Sequence, residues 1–135
     1  MTDTNIQNES ETLVQAGVLA TIKKMIGYES TFTEYDQDLT ILINSAFFNL
    51  HQLGVGPDTG FRITSGEDGW DGFISPDAIG FEAVKSYIYY KVKLAFDPPA
   101  TSFAIDAVKS QIAELEFRLN VQFDTEVPSA EPTVT

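Results

Sequence analysis

Two prolines in succession, within "LAFDPPATSF" at 94–103, decide the shape of the second half of this chain. Proline has no N–H to give a helix and pushes the residue before it out of the helical region. A helix running towards Asp97 therefore ends there, and a new one starts a few residues later with Thr101 or Ser102 as its N-cap. Apolar residues keep helical spacing on both sides of the break. Before it, Phe81, Val84, Ile88, Val92 and Ala95 mark the inward face, with Tyr87, Tyr90 and Lys91 towards the rim. After it, Ile105, Val108, Ile112, Leu115 and Leu119 step by 3, 4, 3 and 4 residues, a seam of more than two heptads. So short and stiff a joint makes these two helices an antiparallel hairpin.

Two further helices precede them. "ETLVQAGVLATIKKMI" follows Ser10 as N-cap, places Leu19, Ile22 and Ile26 at helical spacing, and closes on Lys23, Lys24 and Gly27. Lysines in a last turn suit the negative end of the helix dipole. "DQDLTILINSAFFNLHQLG" carries a wide stripe of Leu39, Ile43, Ala46, Phe47, Leu50 and Leu53 and stops at Gly54. Thr33-x-x-Asp36 has the spacing of a capping box for its start. The second and fourth helices carry more apolar surface than a lone four-helix packing needs, which points to an oligomer.

Residues 54–78 differ in kind. Six of the chain's nine glycines lie here with Pro57 and Pro76, and five acids face one base, Arg62. "GFRITS" and "WDGFI" around the turn "GEDG" read as a small β-hairpin inside a long loop. A connection of this length is a candidate functional excursion. Phe61, Arg62, Trp70 and Phe73 are its candidate interface residues, since exposed aromatics mark protein contacts more often than active sites; the alternative is that the hairpin folds back over its own core.

The expected fold class is thus mainly α: a four-helix, bundle-like subunit with a long loop or small β-hairpin between helices 2 and 3. A flexible N-terminal arm spans 1–9, a single helical domain 10–123, and an acidic tail 124–135, all termini reading as flexible. The chain has 20 acids against 8 bases, a net charge of −12. Such a surface repels nucleic-acid phosphates. The first ten residues show neither a basic nor an apolar signal-peptide region, and no apolar run is long enough to span a bilayer. A protein made in a cytoplasm, away from membranes, is expected.

Little in the sequence points to catalysis. Cysteine is absent, which removes disulfides, thiolate metal sites and thiol nucleophiles. His51, the one histidine, falls near a helix C-terminus where it suits the dipole. "GVGPDTG" follows a helix and lacks the dinucleotide-binding spacing. Glu67, Asp68, Asp71 and Asp77 do not keep the register of a calcium loop. Glu114 and Glu116 point to different sides of helix 4 as solvated groups, and Arg118 pairs with Glu114 at i−4. No catalytic residue, metal site or cofactor is expected.

The ordered set "LATIKKMIG", "TEYDQDLTILINSAFFNLHQLGVGP", "GFRITS…W" and "VKSYIYYKVKLAFDPPATSFAIDAVKSQIAELEFRLNVQ" resembles the head–tail connector proteins, also called adaptor or head completion proteins, of long-tailed bacteriophages and prophages. The likeness covers about residues 12–123, and its most specific pieces are Lys85 to Pro99 and Glu114 to Gln122. It implies a structural virion protein of the neck, made in the bacterial cytoplasm and not an enzyme. By this resemblance, the subunits form a homo-oligomeric ring, typically of twelve copies, beneath the portal protein. Stopper or tail-completion proteins dock on the other side, and genomic DNA passes through without sequence-specific binding. In this family the C-terminal segment embraces the portal, which makes Leu119, Phe123 and Val127 the portal-binding candidates. Phe61, Arg62, Trp70 and Phe73 would then meet a neighbouring subunit or the stopper. The acidity also fits a second class, an acidic inhibitor that mimics DNA and occupies a host nuclease; that role asks for carboxylates over one continuous face, whereas here they gather in tails and loops.

Overall fold

The helix that organises the molecule is the one that ends at the double proline. In the computed structural model, which describes residues 17–124, four α-helices are present: α1 (Val18–Ile26), α2 (Asp36–Gln52), α3 (Phe81–Phe96) and α4 (Ser102–Phe123). α3 packs against the other three, while α2 and α4 flank it and meet each other only sparsely. The arm 1–9, the first turns expected for helix 1 over 10–16, and residues 125–135 lie outside the described residues.

The core follows from the helical stripes. Leu39, Ile43, Ala46, Phe47 and Leu50 of α2 are buried against Phe81, Val84, Ile88 and Val92 of α3, with Val18, Leu19 and Ile22 of α1 closing over them. Burying one such side chain is worth about 1.5–3 kcal/mol relative to leaving it in water. α4 contributes less: Ile112 and Leu119 are buried, while Ile105, Val108 and Leu115 are half-buried.

The helix ends mostly fall where local chemistry puts them. Gly27 closes α1 with its N–H on the Lys23 and Lys24 carbonyls. Asp97 ends α3, and Thr101 is the N-cap of α4, its Oγ1 accepting from the Ala104 N–H at 3.1 Å. The start of α2 corrects the expected capping box. Tyr35 is the N-cap and makes no side-chain cap; Asp36 instead turns its Oδ1 to Lys23 Nζ at 2.8 Å. Lys23 is buried, and its ammonium also donates to the Ser30 carbonyl at 3.1 Å. A cation expected to serve the α1 dipole in solvent therefore ties α1 to α2. With the ammonium out of water, this pairing and hydrogen bond are what make its burial tolerable.

Two positions on α3 also differ from expectation. Ala95 is exposed at the margin of a shallow groove beside Leu42 and Ser45 of α2, while Leu94 and Phe96 of the same turn pack on the core. Tyr87, expected at the rim, is fully buried, and its hydroxyl donates to Glu116 Oε2 of α4 at 2.8 Å. Glu116 is accordingly half-buried and not a solvated surface acid. Burial first, then the hydrogen bond and charge of Glu116, push the Tyr87 phenol up from its ordinary range, with a smaller opposing effect from the Asn49 side chain.

Candidate assembly surfaces

The long connection between α2 and α3 forms no strand among the described residues; it is a loop with one 3-10 turn at Trp70–Gly72. The expected hairpin is absent because side chains take the bonds a partner strand would have made. Asn44, on α2, donates from Nδ2 to the Ile63 carbonyl at 2.9 Å, and its Oδ1 accepts from the Ile63 N–H at 2.7 Å. Asp68 Oδ2 accepts from the N–H groups of Thr64 at 2.6 Å and Ser65 at 3.0 Å. The backbone bonds from Thr64 and then Ser65 hold the Asp68 carboxyl below its ordinary range against a small desolvation effect, helped by the Thr64 hydroxyl. Asp68 is thus a turn-maker. No cluster of three or more metal-ligating acids or histidines occurs among the described residues.

The loop is then fastened to α1. The Val18 N–H donates to the Asp68 carbonyl at 2.9 Å. A Cβ on Gly17 would lie 2.5 Å from the Gly66 carbonyl oxygen, so only glycine lets the two backbones approach this closely. The Trp70 Nε1–H donates to Thr21 Oγ1 at 3.2 Å, and that hydroxyl donates to the Gly17 carbonyl at 3.0 Å. Phe47 receives the rest of the loop edge-on or tilted, with ring centroids 4.9 Å from Phe61 and 4.8 Å from Phe73. Of the loop candidates, Trp70 and Phe73 are therefore inside the core, Phe61 is half-buried on Phe47, and Arg62 is exposed. Glycine-rich surroundings conceal this burial in the sequence; the available signal was Asn44, a polar residue within the apolar run "ILINSAFF".

The other group of candidates sits at the end of α4. Leu119 is buried against α3, and Phe123 is half-buried. The Phe123 ring lies over Gly80, which has φ of 100° and where a Cβ would stand 3.0 Å from the ring. Asn120 Nδ2 donates to the Leu53 carbonyl at 3.1 Å, tying the same turn to the end of α2. Val127 lies outside the described residues. Leu119 and Phe123 thus come together at the exit of α4, some distance in sequence and on a different element from the loop group.

His51 is half-buried in the last turn of α2. An open groove of about 440 Å³ is lined by Thr21, Lys24, Trp70, Asp77 and Lys85 among others. Its charges have both signs, and no nucleophile–base pair converges on it. What the surface does present is apolar. Ile41 and Phe48 on α2, Ile79, and Phe103, Phe117 and Val121 on α4 are exposed. Large exposed apolar side chains repeated along one helix face are a feature of surfaces that contact other protein.

Among the described residues the subunit is all-helical and carries large apolar side chains on its outer faces. The profile of the phage connector protein family matches residues 18–126. The chain belongs to this family, and it is a structural component of the phage virion at the head–tail connection. Neither a curated protein nor a solved structure matches it. No helix among the described residues is long and apolar enough to cross a membrane.

Proposed function

We propose that the chain is the adaptor of the phage neck. Copies of it form a ring under the portal, hold the stopper or tail-completion protein on the far side, and line the channel through which DNA leaves. The observation that carries this reading is the family match over residues 18–126; the anchored exit of α4 is where the portal-facing segment would begin. α4 has 22 residues, about 33 Å at 1.5 Å per residue, and Phe123 and Asn120 hold its last turn against Gly80 and Leu53. In this reading the residues after Asp124 contact the portal, and the ring multiplies a weak single contact. The net charge of −12 suits a conduit, because a basic lumen would hold DNA by counterion release. Arg62 and the exposed edge of Phe61 are the loop groups offered to a neighbour or to the stopper.

Removing residues 125–135 tests the reading without touching a described contact. The truncated chain should keep its helical circular dichroism and melting temperature yet lose co-sedimentation with portal-bearing heads. Head binding equal to that of the full chain would exclude the C-terminal segment as the portal contact.

A further inference from the structure

α4 bears two apolar stripes on opposite sides. The first, through Ile112 and Leu119, is spent on α3. The second runs Phe103, Ala107, Ser110, Glu114, Phe117, Val121, spaced by 4, 3, 4, 3 and 4 residues, and Phe103 is 83%, Phe117 70% and Val121 60% exposed. α2 has a shorter counterpart, in which Ile41 and Phe48, two turns apart, are 61% and 58% exposed. They point away from the side of α2 that carries Leu39, Ile43 and Phe47. Since α2 and α4 flank α3, the two stripes belong to different edges of the subunit.

Charge and area say what could cover them. Along the α2 stripe the polar positions are Gln37, Ser45 and Gln52, with no ionisable group. On the α4 stripe the one carboxylate, Glu114, accepts from Arg118 Nε at 2.9 Å. On a chain of 20 acids and 8 bases, both stripes are sparsely charged, with exposed Asp38 beside Ile41 and exposed Asp106 beside Phe103 at their margins. Phe103, Phe117 and Val121 leave on the order of 400 Å² of apolar side chain in water, counting a phenyl ring as about 200 Å². A standard interface takes about 800 Å² per partner, a little over half of it non-polar, so the α4 stripe is of the size one such contact uses.

We propose that the α2 stripe of one copy packs against the α4 stripe of the next. This rests on the neck-ring reading and adds the surfaces through which the copies meet. Because the two stripes differ, the contact is heterologous. It propagates from copy to copy and closes into a ring when the rotation allows.

The test uses the full chain and two charge insertions, Phe48→Glu and Phe117→Glu, followed by sedimentation velocity. Both positions are exposed, so circular dichroism and melting should be unchanged. The wild type should associate with rising concentration, and each variant alone should remain monomeric. An equimolar mixture should restore a complex of two chains, one of each variant, since one intact α2–α4 pair remains. Three results would overturn the proposal. These are a wild type that stays monomeric at millimolar concentration, a Phe48→Glu chain that assembles like wild type, and a mixture that stays monomeric. The second would place α4 against α4; the first would leave the stripes to another protein or to residues 125–135. Portal-bearing heads that bind a strictly monomeric chain would keep the neck reading and discard this interface. A chain that assembles through the stripes but ignores the portal would do the reverse.

Discussion

α2 and α4 flank the same helix, yet α2 sinks five residues fully into the core and the longer α4 only two. α2 meets α3, α1 and the 54–80 loop, so three sides of it are satisfied within one subunit. α4 meets α3 along one seam, and its far side carries phenylalanines in water. The lesson is a division of labour: α1, α2, α3 and the loop make the fold, while α4 is only half used by it.

Substitutions can break that comparison in order of size. The largest effect is expected for Phe47→Ala. Phe47 is fully buried and holds Phe61, Phe73 and Trp70 around it, so its loss should cost about 3–5 kcal/mol. Chemical denaturation would read this as a lower midpoint, and a loss under 1 kcal/mol would mean the loop is not part of the core.

Tyr87→Phe comes next, because it cuts the side-chain hydrogen bond from α3 to Glu116 of α4 and leaves Glu116 half-buried without that donor. About 1–2 kcal/mol is expected. The folded chain holds the phenolic proton more tightly than the unfolded chain does. Its stabilisation is therefore complete below the ordinary tyrosine range near pH 10 and lost as pH rises through and beyond it. Denaturation between neutral and strongly alkaline pH should show a shallower fall for Tyr87→Phe than for wild type. Equal slopes would place the hydroxyl in solvent.

Much of the fold was legible because it is written locally. The α2 stripe, the Pro98 stop, the Thr101 cap and the Gly27 terminus each depend on residues within a few positions of one another. What was not legible depends on partners far along the chain. Tyr87 looks like a rim residue until Glu116, 29 positions on, supplies its acceptor. Lys23 looks like a dipole-compensating surface cation until Asp36 arrives from the next helix. "GFRITS" has strand composition, but Asn44 meets its backbone first. Trp70 and Phe73 illustrate the same limit for the candidate site, since glycine-rich composition says that a segment turns and not what it turns onto. The excess apolar surface of α2 and α4 was visible in the sequence; which faces stayed exposed required the packing.

The smallest effect on stability is expected at the other end of the comparison. Phe103→Ser should change the unfolding free energy by no more than about 0.5 kcal/mol, because the ring is almost wholly in water, and thermal melting would check it. A loss as large as that of Phe47→Ala would mean that the outer face of α4 belongs to the fold after all.

The most direct measurement is electron microscopy of portal-bearing heads, purified without this protein and then incubated with it. A ring of added density directly beneath the portal vertex, absent from untreated heads, is the expected result. Heads that acquire no density at that vertex, or acquire it only elsewhere on the capsid, would contradict a role as the neck adaptor.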